Sequence, residues 1–374
     1  MYPSLLARHL TVVALAFAGL SAFATEIPYD YHVPLTPENV AIGCFPAKKK
    51  PSIVVPSGAI VKIEGGGGVR RGSAGAIPTA ADIDGWLKEN NIATTVETCP
   101  ALAETLAALK DAKRAPGIVA GHMLSGPVYV EGAEPGDMLE IRILDVSPRI
   151  PFGTVSGMPG RGGIPDVVPR PFSHVVPIDL KRNAGIFDHN VEVPLAPFMG
   201  VMATVPADSE GEYRGSSPPG NFGGNLDCKA LTAGSTLYLP VFQKGALFYT
   251  GDSHGAQGDG EVTVSAIETA NSCTLQFILH KGKTIKMPRA ENATHYITFG
   301  LDPDLNKAMH QAIIETIDFL KEKQGYDFFD AYALSSIGID FHVTQVVDGT
   351  QGIHGMIPKR LFINDTNTYW YRPN

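Results

Sequence analysis

Apolar and polar residues alternate along much of this chain, which is the pattern of half-buried β-strands. The clearest case covers residues 128–146, where Val-Tyr-Val and Met-Leu-Glu-Ile-Arg-Ile-Leu-Asp-Val flank a turn that contains Gly and Asp. Similar pairs of apolar runs occupy residues 52–64 and 235–250, the latter broken at Lys244-Gly245. Two short strands joined by turn residues commonly pair with one another, so each of the three segments predicts a β-hairpin.

Helical patterns are fewer. Residues 80–90 and 101–113 are rich in Ala, Leu, Lys and Glu, which favour helices. The strongest pattern covers residues 303–324, which Asp302 can cap and Gly325 can end. Apolar residues recur on one face of this predicted helix, so it should pack against a sheet or another helix.

Composition agrees with a strand-rich fold. The 374 residues include 40 Gly and 29 Pro, which favour many short strands and turns over helix bundles. Towards the end of the chain, residues 331–337 predict one more short helix, and residues 340–347 predict a returning strand before Asp348. The predicted fold class is mainly β.

The first residues predict a signal peptide. Arg8 precedes an apolar run over residues 11–20, and Ala22-Phe-Ala24 is a small-x-small cleavage site. The run is too short for an ordinary transmembrane helix. We therefore expect residues 1–24 to be removed, a mature protein that begins near Thr25, and a location in the periplasm or outside the cell.

We divide the mature chain into three segments. An N-terminal β-rich segment with a small helical element covers residues 25–120, a central β domain covers residues 121–285, and an α/β portion covers residues 286–374. The net charge of −8 without basic runs argues against a nucleic-acid partner. No second apolar span of membrane length follows the signal peptide, so we expect no membrane partner after cleavage.

Two glycine-rich polar segments carry the candidate chemistry. Residues 251–261 read Gly-Asp-Ser-His-Gly-Ala-Gln-Gly-Asp-Gly-Glu, and residues 223–227 read Gly-Gly-Asn-Leu-Asp. Glycine contributes no packing, so its use beside several potential ligands indicates a backbone shaped to approach something closely. The hairpin predicted between the two segments would bring both to the same end of a sheet.

These segments resemble the signature of the acetamidase/formamidase family. The resemblance continues in Leu239-Pro-Val, Gly245-Ala-Leu-Phe, an earlier segment at residues 125–137, and later segments at residues 288–301 and 335–349. Several separated motifs in the family's order, spread over about residues 120–360, make this signal specific. The resemblance implies a β-sandwich or jelly-roll-like core with a smaller α/β portion near the C-terminus. It also implies a homo-oligomer that hydrolyses short linear amides such as formamide or acetamide.

Amide hydrolysis requires an activated water, a stabilised oxyanion and a protonated nitrogen. His254 with Asp227, Asp252 and Glu261 offers mixed nitrogen and oxygen ligation, which suits zinc or a similar divalent cation. The division of roles is our hypothesis. We assign Asp227 and His254 to the metal, Glu261 (as general base) and Asp252 to catalysis, and Asn225 and Gln257 to hydrogen bonds with the substrate amide or oxyanion.

Two other functions stay open. A non-catalytic exported β-protein that binds calcium for stability would use all-oxygen ligation, without His254. A cysteine-dependent amidase or lactamase would use Cys228, next to Asp227, as its nucleophile. A small buried core residue is the commoner role for such a cysteine.

Other features complete the set of expectations. Four cysteines permit three complete pairings, and among these we favour a Cys44–Cys99 disulfide. The run Gly65-Gly-Gly-Gly68 predicts a flexible turn, since no P-loop ending follows it. Residues 148–171 predict either a loop that faces the site or a plain connector. His122 and His354, each near glycines, are further site candidates.

Overall fold

The computed structural model describes residues 27–69, 76–118, 120–366 and 368–371. The predicted signal peptide, residues 1–24, lies outside these residues. Strands account for 35% of the structure and helices for 18%, which confirms the mainly β class.

Short strands follow one another along most of the described chain. Numbered in chain order, they are β1 (Tyr31–Val33), β2 (Val40–Ile42), β3 (Cys44–Pro46), β4 (Ile53–Val55), β5 (Ile60–Glu64), β6 (Met123–Val130), β7 (Met138–Pro148), β8 (Phe152–Gly157), β9 (Phe172–Asp179), β10 (Ala184–Ile186), β11 (Glu192–Pro194), β12 (Phe198–Ala203), β13 (Tyr213–Gly215), β14 (Gly223–Asn225), β15 (Thr236–Pro240), β16 (Phe248–His254), β17 (Asn271–His280), β18 (Arg289–Glu291), β19 (His295–Asp302), β20 (Asp340–Gln345) and β21 (Gln351–Pro358).

Two large sheets form the body of the molecule. The nine-stranded sheet has the order β1-β5-β17-β7-β15-β18-β19-β21-β20. The six-stranded sheet has the order β14-β12-β16-β6-β2, and β4 also pairs with β6. A four-stranded sheet, β11-β10-β9-β8, and the pair β13-β3 complete the set.

The main apolar core lies between the two large sheets. Along β7 the side chains of Leu139, Ile141 and Ile143 are buried, as alternation predicts. Across the interface, the rings of Phe248 in β16 and Phe277 in β17 meet edge to face at 5.0 Å. This packing of sheet on sheet confirms the predicted β-sandwich core.

All three predicted hairpins are wrong, and for the same reason. In each case the two strands belong to different sheets: β4 and β5, β6 and β7, and β15 and β16. The turn between them carries the chain from one sheet to the other. Both strands still bury one face in the shared core, so their alternation is the same as that of a hairpin.

The helices agree more closely with the sequence. They are α1 (Ala80–Glu89), α2 (Pro100–Asp111), α3 (Leu305–Gln324) and α4 (Phe328–Gly338). Among the described residues, no helix has both the length and the apolar character needed to cross a membrane. Helices α3 and α4 with β18 to β21 form the α/β portion predicted near the C-terminus.

The start of α3 differs from its prediction. The cap is Asp304, whose side chain accepts a hydrogen bond from the backbone N–H of Asn306, because Asp302 is still the last residue of β19. Gly325 ends the helix in the left-handed conformation, as predicted. Buried Ala308 and Ala312 let α3 lie directly against the sheet.

The predicted Cys44–Cys99 disulfide is not formed. All four cysteines are buried free thiols. Cys44 lies in β3, whereas Cys99 is the residue before α2 and packs in a separate apolar cluster with Ile150 and Phe152. The two residues therefore belong to different parts of the fold.

The contact of α3 with β19 gives the first testable prediction. A methyl group at Gly300 would collide with the backbone of Ala308 and Ala312, so Gly300→Ala should force the helix away from the sheet. We expect the free energy of unfolding to fall by about 1–3 kcal/mol in urea titrations. Gly85→Ala in α1 is the control, because its added methyl meets nothing and improves helix propensity. Equal stability of Gly300→Ala and the unsubstituted protein would contradict this account of the contact.

Candidate metal centre and active site

Strands β14, β12 and β16 bring the two glycine-rich segments together. β12 pairs on one side with β14 and on the other with β16, placing Val201 opposite both Asn225 and Gly251. The predicted juxtaposition is therefore present, but a third strand creates it. Asp252 and His254 are two residues apart on β16, so their side chains leave the same face of the sheet.

Gly200 in β12 makes room for the site. A Cβ atom there would lie 2.7 Å from Asp252 Oδ2 and 3.0 Å from His254 Cε1, and it would collide with Asp227 Oδ1. Three candidate side chains thus converge over a single glycine. Any larger residue at position 200 would displace at least one of them.

His254 is the fully buried centre of the site. Its Nε2 atom lies 3.3 Å from Asp252 Oδ2 and 3.3 Å from Glu268 Oε1, and its Nδ1 atom lies 3.9 Å from Asp227 Oδ1. The ring of Phe198 packs edge to face against the imidazole at 5.0 Å. The imidazole is held between carboxylates on both of its nitrogens.

Glu268 was missed by the sequence analysis. It stands alone in an apolar, strand-like stretch, without the glycines that marked the other candidates. Its backbone bridges both Thr154 of β8 and His254 of β16, which places its carboxylate at the junction of two sheets. Only the pairing of distant strands reveals this position.

Asp348 also joins the site from far along the chain. Asn225 donates from its side-chain nitrogen to Asp227 Oδ2 at 2.6 Å and to Asp348 Oδ2 at 2.8 Å. Gln257 donates from its side-chain nitrogen to the backbone carbonyl of Asp227 at 2.6 Å. Asn225, one predicted substrate ligand, therefore holds two carboxylates in place, and Gln257, the other, holds the backbone of Asp227.

The loop that carries Glu261 is fixed to the C-terminal sheet. The backbone N–H of Gly260 donates to the carbonyl of Thr344, and the N–H of Val346 donates to the carbonyl of Gly260. Glu261 is 7% exposed. One of its carboxylate oxygens can approach ligand atoms of Asp227 and Asp348 within 4.8 Å.

Three site carboxylates sit on backbone that L-residues rarely adopt. The φ angles of Asp227, Asp252 and Glu261 are 46°, 55° and 43°. Such conformations are uncommon for residues other than glycine and persist only where the surrounding structure enforces them. Their coincidence at one place indicates that side-chain position outweighs backbone preference here.

Several buried polar atoms have no hydrogen-bond partner among the described residues. They are both ring nitrogens of His254, Asp227 Oδ1, Glu261 Oε2, Asn225 Oδ1 and Gln257 Oε1. Buried polar groups are normally paired, and buried charges are paired or coordinate metals. One imidazole and several carboxylates form the mixed donor set that zinc and similar divalent cations bind, so these residues fit such an ion.

The electrostatics of the cluster are strongly perturbed. Burial, together with neighbouring carboxylates, raises the pKa of Asp227, Glu261 and Asp348. Burial alone would lower the pKa of His254, but Glu268 and Asp252 outweigh it and raise that pKa well above its ordinary value. Divergent pKa values in a small region are typical of functional sites.

Asp252 behaves differently from the other carboxylates. Although burial opposes it, the nearby His122 and His254 hold the pKa of Asp252 below its usual range. His122 thus lies close enough to act on the site electrostatically, and its Nδ1 atom is buried without a partner among the described residues. This observation retains His122 as a site candidate.

His354, the other candidate, lies in a separate cluster. Its Nδ1 atom is 2.8 Å from Thr344 Oγ1, and its ring stacks on that of His342 at 5.3 Å. His342 in turn lies 3.2 Å from Asp259. Burial lowers the pKa of His354 to about 4, which keeps its ring neutral at physiological pH.

A cavity of about 480 Å³ opens onto the cluster at Asp252 and Glu268. Gly66, Gly67 and Gly68 form part of its wall, and a Cβ at Gly67 would collide with the backbone of Thr269. The glycine run therefore packs closely against its neighbours as part of the cavity wall. Its interpretation as a flexible turn is wrong. Residues 148–171, predicted as one irregular segment, instead contain strand β8, and the segment faces this cavity through residues such as Ser156 and Met158.

Cys228 has the properties of a core residue. It packs in the apolar core between the two large sheets and is 1% exposed. Burial raises the pKa of its thiol to about 12, so the nucleophilic thiolate is scarce at neutral pH. The structure therefore disfavours the cysteine mechanism.

A β-sandwich that gathers an imidazole and carboxylates under a cavity provides the acid, base and ligand groups of a hydrolytic enzyme. The description "Acetamidase/Formamidase family" belongs to the family model that matches residues 86–212 and 212–364. The chain belongs to this family, whose members hydrolyse carbon–nitrogen bonds in linear amides. The resemblance stated from the sequence motifs is thereby confirmed.

Curated relatives and solved structures support the same family assignment. The chain is 27% identical to a formamidase of Methylophilus methylotrophus over 304 residues, covering 61% of this chain and 73% of the relative. It is 26% identical to an acetamidase of Mycolicibacterium smegmatis over 300 residues, covering 57% and 72%. The crystal structure of an acetamidase from Bacillus halodurans is similar with a TM-score of 0.70 and 26% identity, covering 89% of this chain and 98% of that one.

The raised pKa values predict how stability depends on pH. A carboxyl whose pKa is raised by folding contributes stability that is fully present below the ordinary pKa of about 4 and is lost as pH rises through the folded value. The raised pKa of His254 acts in the same direction, towards lower stability at high pH. The melting temperature of the metal-free protein should therefore fall between pH 5 and pH 8, by about 2–4 °C for each kcal/mol of lost unfolding free energy.

The paired variant Asp227→Asn/Glu261→Gln separates this effect from the titration of the rest of the chain. We expect its melting temperature to change less between the two pH values than that of the unsubstituted protein, both measured with chelator present. Parallel pH profiles for the two proteins would show that these carboxyls do not control the stability.

Proposed function

We propose that this chain is an exported amidase that hydrolyses linear amides to the carboxylate and ammonia with the help of a divalent cation, with zinc as the first choice. Family membership supports the reaction class. The observation that supports the cation is the set of buried, unpartnered atoms on His254, Asp227 and Glu261. Asp227 and Glu261 are buried among further carboxyl groups, so a divalent cation would balance more of their charge than His254 alone can.

Two overlapping groups of residues would hold the cation. Asp227, Asp252 and His254 form one, and His254, Glu261 and Glu268 form the other, each with ligand atoms within 4.8 Å of one another. Bound there, a divalent cation supplies a Lewis acid and lowers the pKa of water. Asp252 and Glu268 border the cavity, which makes this edge of the cluster the place where an amide would meet it.

Glu261 is suited to carry the proton that amide hydrolysis must move. Burial raises its pKa, which brings its carboxyl closer to the range where it can both accept and release a proton near neutrality. With the cation held by Asp227, Asp252 and His254, the unpartnered Oε2 atom of Glu261 stays free to take a proton from the attacking water. The same atom can then deliver that proton to the departing nitrogen, which leaves as ammonia.

Asp252, Asn225 and Gln257 would position the reacting groups. The lowered pKa of Asp252 keeps it ionised, so it can orient water or hold the cation at the cavity. Asn225 uses both N–H groups of its side chain on Asp227 and Asp348, whereas Gln257 donates only to the backbone carbonyl of Asp227 and keeps its second N–H. A substrate contact through Asn225 would therefore be to the N–H groups of an amide, and Gln257 could also donate to the amide oxygen.

A second candidate function rests on one further observation. Asp227, Glu261 and Asp348 bring together an all-oxygen set of ligand atoms, which is the kind of site that calcium prefers. Under this alternative the cation stabilises the fold and no amide is hydrolysed. Metal content and activity measured on the same sample distinguish the two functions.

Ammonia release from acetamide tests the proposed activity. We expect turnover by the purified mature protein, its loss after chelation, and its return when one divalent metal is restored. Glu261→Gln should lower kcat by a factor of about 10² or more, because the proton carrier is removed. Cys228→Ala is the matched control, and we expect its kcat to stay within about twofold. A folded, metal-loaded protein that releases no ammonia from any amide would refute the amidase proposal.

Export predicts a specific mature terminus. The proposal is supported by the sequence of residues 1–24, with its basic start, apolar run and small-x-small site. Expression of the full chain in a Gram-negative host should yield protein in the periplasm or medium that begins near Thr25, as measured by intact mass. Activity confined to the cytoplasm, with Met1 retained, would contradict export.

A further inference from the structure

The cavity above the site is larger than a formamide-sized substrate requires. Its volume is about 480 Å³, within the range of roughly 300–1,000 Å³ in which pockets enclose drug-sized ligands. Formamide, by contrast, has only three non-hydrogen atoms. Most of the cavity would therefore remain in contact with water if the acyl group were a hydrogen or a methyl group.

Apolar side chains share the cavity wall with the hydroxyl groups of serine and threonine residues. Val69, next to the glycine run, Leu109 of α2 and Met123 of β6 contribute apolar side chains. Met158 and Phe172 contribute from the loop after β8 and from the start of β9. An alkyl or aromatic group that extends from the amide would replace water against these side chains.

Two of these apolar side chains are unusually exposed. Met158 is 46% exposed and Phe172 is 41% exposed, although each borders the cavity. Exposed apolar side chains gathered at a cavity mouth are typical of a ligand-binding surface.

Building on the proposed amidase function, we infer that the preferred substrate is a primary amide with an apolar substituent of several carbons or an aromatic ring. The amide group meets Asp252 and Glu268, and the substituent lies against Met123, Met158 and Phe172. Each added methylene that leaves water should raise kcat/KM roughly fourfold until the cavity is filled.

The test is a series of primary amides of increasing length: acetamide, butyramide and hexanamide, with benzamide as the aromatic member. We expect kcat/KM to rise along the alkyl series by roughly fourfold per methylene. Phe172→Ala and Met158→Ala should lower kcat/KM for hexanamide several-fold and leave acetamide nearly unchanged. Phe329→Ala is the matched control, since Phe329 is 77% exposed on α4 and does not line the cavity.

A variant that fills the cavity tests the same assignment, because it adds volume where the alanine variants remove it. Ser156 lines the cavity and is exposed, so Ser156→Trp adds volume there without entering the core. We expect it to abolish the preference for hexanamide while acetamide is still hydrolysed. Retention of the full preference in this variant would overturn the assignment of the cavity.

The outcomes separate the two proposals. Hydrolysis of acetamide at the same kcat/KM as hexanamide, or a higher one, would overturn this inference and leave the amidase function standing. Hydrolysis of none of the amides would overturn the amidase function, and calorimetry would then test the cavity by itself. Hexanamide should bind at least tenfold more tightly than acetamide, and equal or undetectable binding would overturn the inference as well.

Discussion

Holding several carboxylates and an imidazole out of water is the arrangement on which the rest of this structure depends. Asp227 and His254 are fully buried, and Glu261 nearly so. Isolated charges in such surroundings are strongly unfavourable, so partners must be held in place by the fold. The backbone accordingly adopts left-handed angles at three acidic positions, one in β16 and two outside the strands, and a glycine occupies position 200. The side chains can converge because the backbone adopts unfavourable conformations at these positions.

The two-sheet body explains why the site is rigid on one side and open on the other. Strand β12 is bonded on both edges, by β14 and β16, so the residues beneath His254 cannot move independently. Towards the cavity, the smaller sheet of β8 to β11 joins this strand system through bridges at Glu268 and through hydrogen bonds such as that from Thr269 Oγ1 to the carbonyl of Phe152. One sheet therefore supports the cluster from below, and a different sheet borders its approach.

The sequence indicated which residues converge at the site better than it indicated how the strands connect. The glycine-rich segments stood out because glycine and ionisable residues rarely occur together without a reason, and four of the converging residues came from them. The three hairpins failed because a strand that crosses to the opposite sheet shows the same alternation and the same turn as one that pairs with its neighbour. Glu268 lies in a segment without local signals, and Asp348 follows a predicted strand; long-range contacts bring Glu268 to His254 and Asp348 to Asn225. Side-chain periodicity records which face of a strand is buried, but not which strand lies beside it.

The loop that carries Glu261 is joined to the last strands of the chain, which determines when the site can form. Gly260 bonds to Thr344 and Val346, and Asp348 reaches Asn225 across more than a hundred residues. A ribosome must therefore release nearly the whole chain before the ligand set can assemble. Until then the acidic residues of the central strands remain hydrated and separate. The proposed binding of a cation would then coincide with completion of the fold, and a truncated chain would lack the site even if its first strands had already paired.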